Sequence, residues 1–274
     1  MIDKIQHIGY LVQDLETAVA WHEKTFSGKT IGRFDVAKSF IVPSGGKGAF
    51  VRFGDGEVEL IQPGDTSDIP QGGLALHHVG YLVPDMEAAM AQLSAKGLKF
   101  ADGAPFTNPL GSQVSYFNPA STNGMLIHLT QYADPAGPGT MPGVPQVEKI
   151  VHAGYLVRDL ESSIAWYVDN FGGTHIGGGP SRTGGQNAFV NFDQVQVELI
   201  QPPDTSNLPQ AGVAMDHVGY AVGDIHLCMG QCQDNNGSKF VEGAPLTNSI
   251  KQQVGYFDTA TSMGSRMHLT QLPD

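Results

Sequence analysis

His7-Ile8-Gly9-Tyr10-Leu11-Val12-Gln13-Asp14 is a strand-like stretch that returns three more times along the chain. The pattern His-x-Gly-Tyr-x-Val-x-Asp begins at His7, His78, His152 and His217. A second pattern, Glu or His followed by Leu-x-Gln, begins at Glu59, His128, Glu198 and His268. The two patterns alternate, so the chain is four copies of one unit of roughly 65–70 residues. A longer repeat lies over this one. Gly103-Ala-Pro-Phe-Thr-Asn108 returns as Gly243-Ala-Pro-Leu-Thr-Asn248, which makes two homologous halves. The halves are read as domains 1–132 and 148–274. The stretch 133–147 between them is rich in Pro and Gly and is read as a linker, since such a stretch holds no regular element.

The first copy shows what the unit is. Ile5–Val12 alternates with period two, as a strand does. Asp14 is a natural N-cap, and Leu15, Val19 and Trp21 open an amphipathic helix ending near Phe26–Gly28. Strands are expected over Thr30–Val42, Ala49–Phe53 and Glu57–Gln62, with Gly54-Asp55-Gly56 as a hairpin turn. Asp85, Asp159 and Asp224 hold the cap position in the other copies. The unit therefore reads βαβββ and the fold class is α+β.

Composition narrows the function classes. The 274 residues are 41% hydrophobic with 35 Gly and 17 Pro, which suits a compact, turn-rich protein rather than a disordered one. Twenty-seven acidic residues against 15 basic give a net charge of −12, arguing against nucleic acid or an anionic membrane as partner. No apolar run approaches the ~18–20 residues that cross a bilayer. The N-terminus runs straight into a strand and shows no signal-peptide stretch. Two cysteines, Cys228 and Cys232, exclude a disulfide framework, and a cytoplasmic setting is expected.

Side chains alternate along a strand, so each patterned His faces away from the Tyr three residues on. Glu59 likewise opposes Val58 and Leu60. A carboxylate in a buried-looking strand is costly unless it is paired or metal-bound. Each half thus offers three imidazoles and one carboxylate from registered positions. Such a set suits Zn, Fe, Mn, Co or Ni, with up to two ions per chain. Any lone His is better read as a hydrogen-bonded core residue. Six registered His and two registered Glu turn the balance toward metal in at least one half.

On these residues the sequence resembles the vicinal oxygen chelate (glyoxalase/bleomycin resistance/dioxygenase) superfamily, nearest to its methylmalonyl-CoA epimerase and glyoxalase-like branch. The segments that carry the resemblance include Leu76-His-His-Val-Gly-Tyr-Leu-Val83, Val58-Glu-Leu-Ile-Gln-Pro63 and Gly124-Met-Leu-Ile-His-Leu-Thr-Gln131. It implies four βαβββ units paired into two cup-shaped domains. It implies metal ligands at His7, Glu59, His78 and His128, and again at His152, Glu198, His217 and His268. Of these, Glu59, His128, Glu198 and His268 stand in the last-strand positions where catalytic groups are expected. Two departures qualify the likeness. The last ligand is usually Glu in glyoxalases and epimerases, and here it is His128 and His268. The position of the epimerase's catalytic Glu falls near Gly48 and Asn187. The base would then be a metal-bound hydroxide, a ligand His that detaches, or a neighbouring group.

Weaker candidates to touch a substrate are Asn108, Tyr116, Asn248 and Tyr256, for which turn bonding and ordinary strand packing are the favoured roles. Trp21, Trp166 and the Gly-Tyr tyrosines read as packing. His22, His77, His175 and His226 fall outside the register and are expected at the surface or behind the ligands. The expected function is a metal-dependent enzyme of glyoxalase type. It would use a Lewis acid for proton transfer, isomerisation, epimerisation or lyase chemistry on a small vicinally oxygenated substrate. The alternatives are an Fe(II) extradiol-type dioxygenase and a metal-free binding protein for a small molecule such as an antibiotic. Expected partners are the substrate and, compatibly, further copies of the chain.

Overall fold

The computed structural model describes residues 2–70, 73–181, 184–209 and 211–273. The described residues form four βαβββ repeats. The first runs β1 (Ile5–Val12), α1 (Leu15–Phe26), β2 (Lys29–Val36), β3 (Gly46–Phe53) and β4 (Gly56–Pro63). The second runs β5 (Leu74–Leu82), α2 (Met86–Ala95), β6 (Phe106–Thr107), β7 (Gln113–Tyr116) and β8 (Ile127–Gln131). The third is β9 (Val147–Val157), α3 (Leu160–Phe171), β10 (Thr174–Pro180), β11 (Gln186–Phe192) and β12 (Val195–Gln201). The fourth is β13 (Val213–Val222), α4 (Ile225–Asn236), β14 (Leu246–Thr247), β15 (Gln253–Tyr256) and β16 (Met267–Gln271).

Within each repeat the first strand pairs parallel with the last, which pairs antiparallel with the third, and the third with the second. The parallel pair needs a crossover, and the helix belongs to it. One expectation shifts. The strand read as Thr30–Val42 stops at Val36, whose partner Gly46 opens β3; residues 37–45 form the connection, in which the Gly45 N–H bonds back to the Val42 carbonyl at 3.0 Å.

Both repeated patterns anchor the helix. Asp14, Asp85, Asp159 and Asp224 each cap a helix, accepting from Thr17, Ala88, Ser162 and Leu227 N–H groups at 2.7–2.9 Å. The Gln that closes the second pattern has the same task. Gln62, Gln131, Gln201 and Gln271 accept the first helical N–H, from Leu15, Met86, Leu160 and Ile225, at 2.7–3.0 Å. Two of the four orphan donors at each helix start are thus satisfied by side chains, one of them from the last strand. Helix and strand are thereby held in one register.

By packing, the chain falls into two compact units. One comprises Met1–Gln6, His78–Gly137 and Val151–Asp216, and so joins the second and third repeats. Its core gathers Tyr81, Tyr155, Tyr167, Phe171 and Phe192, with the Tyr167 hydroxyl 3.1 Å from the Met125 sulfur. Burial pushes all three phenols upward in pKa. The other unit comprises His7–His77, Pro138–Ile150 and His217–Asp274, and joins the first and fourth repeats. Here α1 packs on α4 around Tyr10, His22, Phe26, Phe53, Tyr220 and Phe257. The Tyr10 and Tyr220 hydroxyls lie 3.2 Å apart, and burial raises Tyr10 to about 12.

His22 corrects an expectation. It is fully buried in this core, with Nδ1 2.9 Å from the Ala18 carbonyl and its ring stacked on Phe53. Burial lowers its pKa to about 4, since the charged imidazolium would lose its hydration there. His175 and His226 are exposed as expected, and the four Gly-Tyr tyrosines are core. Trp21 packs edge-on to His22 and Phe26 and donates its indole N–H to the Thr261 carbonyl at 2.9 Å. Among the described residues no helix is long and apolar enough to cross a membrane.

Candidate metal centre

Strand register builds the site. Glu59 stands directly across from Gly9, and Gly9 shares a face with His7 two residues before it. The glycine brings no side chain to that face, so the carboxylate reaches the imidazole: His7 Nε2 and Glu59 Oε2 are 3.5 Å apart. Glu198 stands across from Gly154 in the same way, 3.8 Å from His152 Nε2. In the second and fourth repeats His128 faces Gly80 and His268 faces Gly219. The ring pairs His78–His128 and His217–His268 both have centroids 5.3 Å apart. The Gly of the first pattern is therefore what admits the ligand of the second.

All six imidazoles are buried. In one unit His78 pairs with His128 and His152 stands beside Glu198; in the other His217 pairs with His268 and His7 stands beside Glu59. Buried imidazoles and carboxylates paired in this way have the chemistry of metal ligands.

The last-strand histidines are already oriented. His128 Nδ1 lies 3.1 Å from the Thr130 hydroxyl and His268 Nδ1 2.8 Å from that of Thr270. With Nδ1 committed to the chain, Nε2 is the nitrogen that could take a metal. The Thr of His-Leu-Thr-Gln is thus a partner of the candidate ligand, a role the sequence pattern held without declaring it.

Every last-strand ligand has an aromatic ring directly across its hairpin. Phe50 faces Glu59, Tyr116 faces His128, Phe189 faces Glu198 and Tyr256 faces His268. The Tyr116 and Tyr256 rings lie 4.6 Å from the rings of His128 and His268. Phe50 and Phe189 were not singled out from sequence, although their place opposite the Glu in the hairpin was the available signal. Asn108 and Asn248 lie in turns, where each Oδ1 accepts two backbone N–H groups, from Leu110 and Ser112 and from Ile250 and Gln252. A cleft of about 470 Å³ among Ile2, Asp3, Leu82, Pro84, Tyr132 and Gln194 includes none of the ligand-type residues.

Several known proteins resemble this chain. An ethylmalonyl-CoA/methylmalonyl-CoA epimerase of Cereibacter sphaeroides is 31% identical over 140 residues, 48% of this chain and 99% of its own length. A mitochondrial methylmalonyl-CoA epimerase of Dictyostelium discoideum is 27% identical over 139 residues, 47% of this chain and 79% of its own. The fold is shared over nearly the whole length with larger enzymes. The Mn(II)-bound glyoxalase from Novosphingobium aromaticivorans covers 98% of this chain and 82% of its own, with a TM-score of 0.67 at 15% identity. A mutant 4-hydroxymandelate synthase from Streptomyces coelicolor gives a TM-score of 0.69 at 14% identity, over 98% of this chain and 92% of its own. The family model of the Glyoxalase/Bleomycin resistance protein/Dioxygenase superfamily matches residues 6–116 and again 151–253, and to that family this chain belongs.

Proposed function

We propose that the protein is a metal-dependent enzyme with two sites per chain. One is formed by His7, His78, His128 and Glu59, the other by His152, His217, His268 and Glu198. The observation that carries this reading is the recurrence of three buried imidazoles in each half at the same register positions, the first of each set beside a carboxylate. A structural role for six buried imidazoles does not require them to recur with the same partners. When bound, a divalent transition metal would supply a Lewis acid for neighbouring oxygens of a small substrate such as a hydroxy-carbonyl compound.

The chain's own groups define the rest. Phe50 and Tyr116, or Phe189 and Tyr256, wall the ligands and limit water. Glu59 and Glu198 are the carboxylates beside the triads, so proton transfer is assigned to their Oε atoms, with His128 and His268 as the other exchangeable groups. Proton transfer, isomerisation or epimerisation, or lyase chemistry fits this set, and the likeness to the two epimerases supports an acyl thioester or related carbonyl substrate. The halves 1–132 and 148–274 act as the two functional domains, with 133–147 between them. Cys228 and Cys232 are buried free thiols, which supports a cytoplasmic setting.

Elemental analysis of the protein purified without chelator tests the reading. About two equivalents of one transition metal per chain are expected, lost from Glu59→Ala/Glu198→Ala. Absence of metal even after reconstitution overturns it in favour of a binding protein. A second reading, an Fe(II) dioxygenase, is favoured by the shared fold of a catechol dioxygenase that covers 99% of this chain at a TM-score of 0.64. Oxygen uptake with catechols separates the two.

A further inference from the structure

One cleft takes no part in the metal chemistry proposed above. It lies within the unit that joins the second and third repeats, has a volume of about 470 Å³ and includes none of the candidate ligands. Small-molecule sites are commonly of that size. Ile2, Leu82, Val83, Pro84, Tyr132 and Pro135 make its walls apolar. Its polar groups are the carboxylates of Asp3 and Asp193 and the amides of Gln131 and Gln194. Its described lining residues include no Lys, Arg or His.

Three hydrogen bonds hold Asp3 in place. Its N–H donates to the Leu82 carbonyl at 2.8 Å, and its own carbonyl accepts from the Gln194 N–H at 3.1 Å. Its Oδ1 accepts from Gln194 Nε2 at 3.0 Å. Main chain and one carboxylate oxygen are thereby fixed between β5 and the β11–β12 turn, and Oδ2 is left to meet a ligand. The wall that follows β8 is equally set. The Gly137 N–H closes a turn on the Asp134 carbonyl at 2.8 Å, and a Cβ placed on Gly137 would lie 3.3 Å from the Tyr132 ring. Residues 134–137 thus fold back on that ring.

The other unit carries different groups at the matching positions. Asp3 corresponds to Glu148, Pro84 to Gly223 and Tyr132 to Leu272. There a Cβ on Gly223 would lie 3.1 Å from Glu148 Oε1, so that carboxylate lies against the glycine, and an aliphatic side chain replaces the aromatic ring.

We propose that the cleft is a binding site for a small organic cation, a protonated amine on an aromatic or other apolar body. The ammonium pairs with Asp3 Oδ2, and the body covers Leu82 and Pro84 beside the Tyr132 ring, whose face attracts a cation. An anion of the same shape meets two carboxylates and no base, so the lining selects by charge. The net charge of −12 adds a longer-range attraction of the same sign. The inference goes beyond the metal reading and does not depend on it.

The test is ligand-observed NMR titration of the full chain with tryptamine, indole-3-propionate and indole, which share one ring system and differ in charge. Tryptamine should bind about tenfold or more tightly than the anion. Asp3→Asn should weaken tryptamine by about tenfold and leave indole within about twofold. Tyr132→Leu, which copies Leu272, should weaken tryptamine about two- to fivefold. Glu59→Ala/Glu198→Ala should leave tryptamine affinity unchanged, which separates the cleft from amine binding to a metal. Equal affinity for cation and anion, no binding of tryptamine, or binding that Asp3→Asn leaves intact overturns the proposal. So does tryptamine binding that is lost with the two glutamates.

Discussion

Behind Glu59 the third and fourth strands carry Arg52 and Glu57 as a buried ion pair, with Arg52 Nε 3.1 Å from Glu57 Oε2. Behind Glu198 the same register positions hold Asn191 and Gln196, joined by a neutral hydrogen bond of 3.0 Å. In the helix above, His22 of the first repeat corresponds to Tyr167 of the third, each following a Trp. The candidate ligand residues of the two halves match one for one, while other side chains at equivalent positions have been exchanged for groups of different charge. The comparison separates what the ligand geometry requires from what merely fills the same space. It predicts that the two halves respond differently to truncation and to acid.

The largest expected effect tests whether the clusters are independent. His78→Ala should remove metal from the first triad and leave the second loaded, so metal content falls by half on elemental analysis. Loss of both ions would show that the triads are coupled. Next comes the ion pair. Arg52→Ala removes the guanidinium from beside the buried Glu57 carboxylate, and should cost about 3–5 kcal/mol in urea denaturation. Gln196→Ala, at the equivalent place, should cost only about 1 kcal/mol. Equal costs would mean that the two pairs do the same work.

Acid is the third probe. Folded His22 has a pKa of about 4, while the unfolded imidazole titrates near 6.5. Between these values the unfolded state binds the extra proton, so falling pH favours unfolding. The stability tied to the neutral ring is complete above pH 6.5 and is lost as pH falls toward 4. The slope from this residue approaches about 1.4 kcal/mol per pH unit. His22→Tyr, which copies Tyr167, should flatten the stability profile by that amount over the window, and an unchanged slope would count against the burial of His22. The smallest effect is the transplant Arg52→Asn/Glu57→Gln, expected to cost under about 1 kcal/mol because charge and partner leave together. A cost above that of Arg52→Ala would show that the ion pair is specific to its half.

Much of the site was legible before the fold. Registered histidines, registered glutamates and the Asp caps follow from strand alternation and capping chemistry, both local. The Gln caps were visible as a repeat but had no stated purpose, because their partner N–H lies 45–47 residues earlier in three of the repeats and 41 in the third. His22, expected at the surface or behind the ligands, lies in the core instead, because its neighbours in sequence do not reveal that a Phe53 ring from β3 covers it. Asn187 was noticed only as a departure from the epimerase pattern. Its Nδ2–H donates to Glu198 Oε1 at 2.7 Å, a bond that becomes visible only with the β11–β12 register.

The sequence by itself determined the four repeats, the face of each strand on which a ligand stands, and the ligand types, since period-two alternation and turn residues act over a few residues. Only the tertiary structure decided that the core of the first repeat is completed by the fourth and that of the second by the third. All four helices offer an apolar face of the same kind, so no local pattern can choose among partners. That choice is made by which side chains fill a shared core, Tyr10 against Tyr220 and Tyr81 against Phe171, at sequence separations where only the folded chain brings them together.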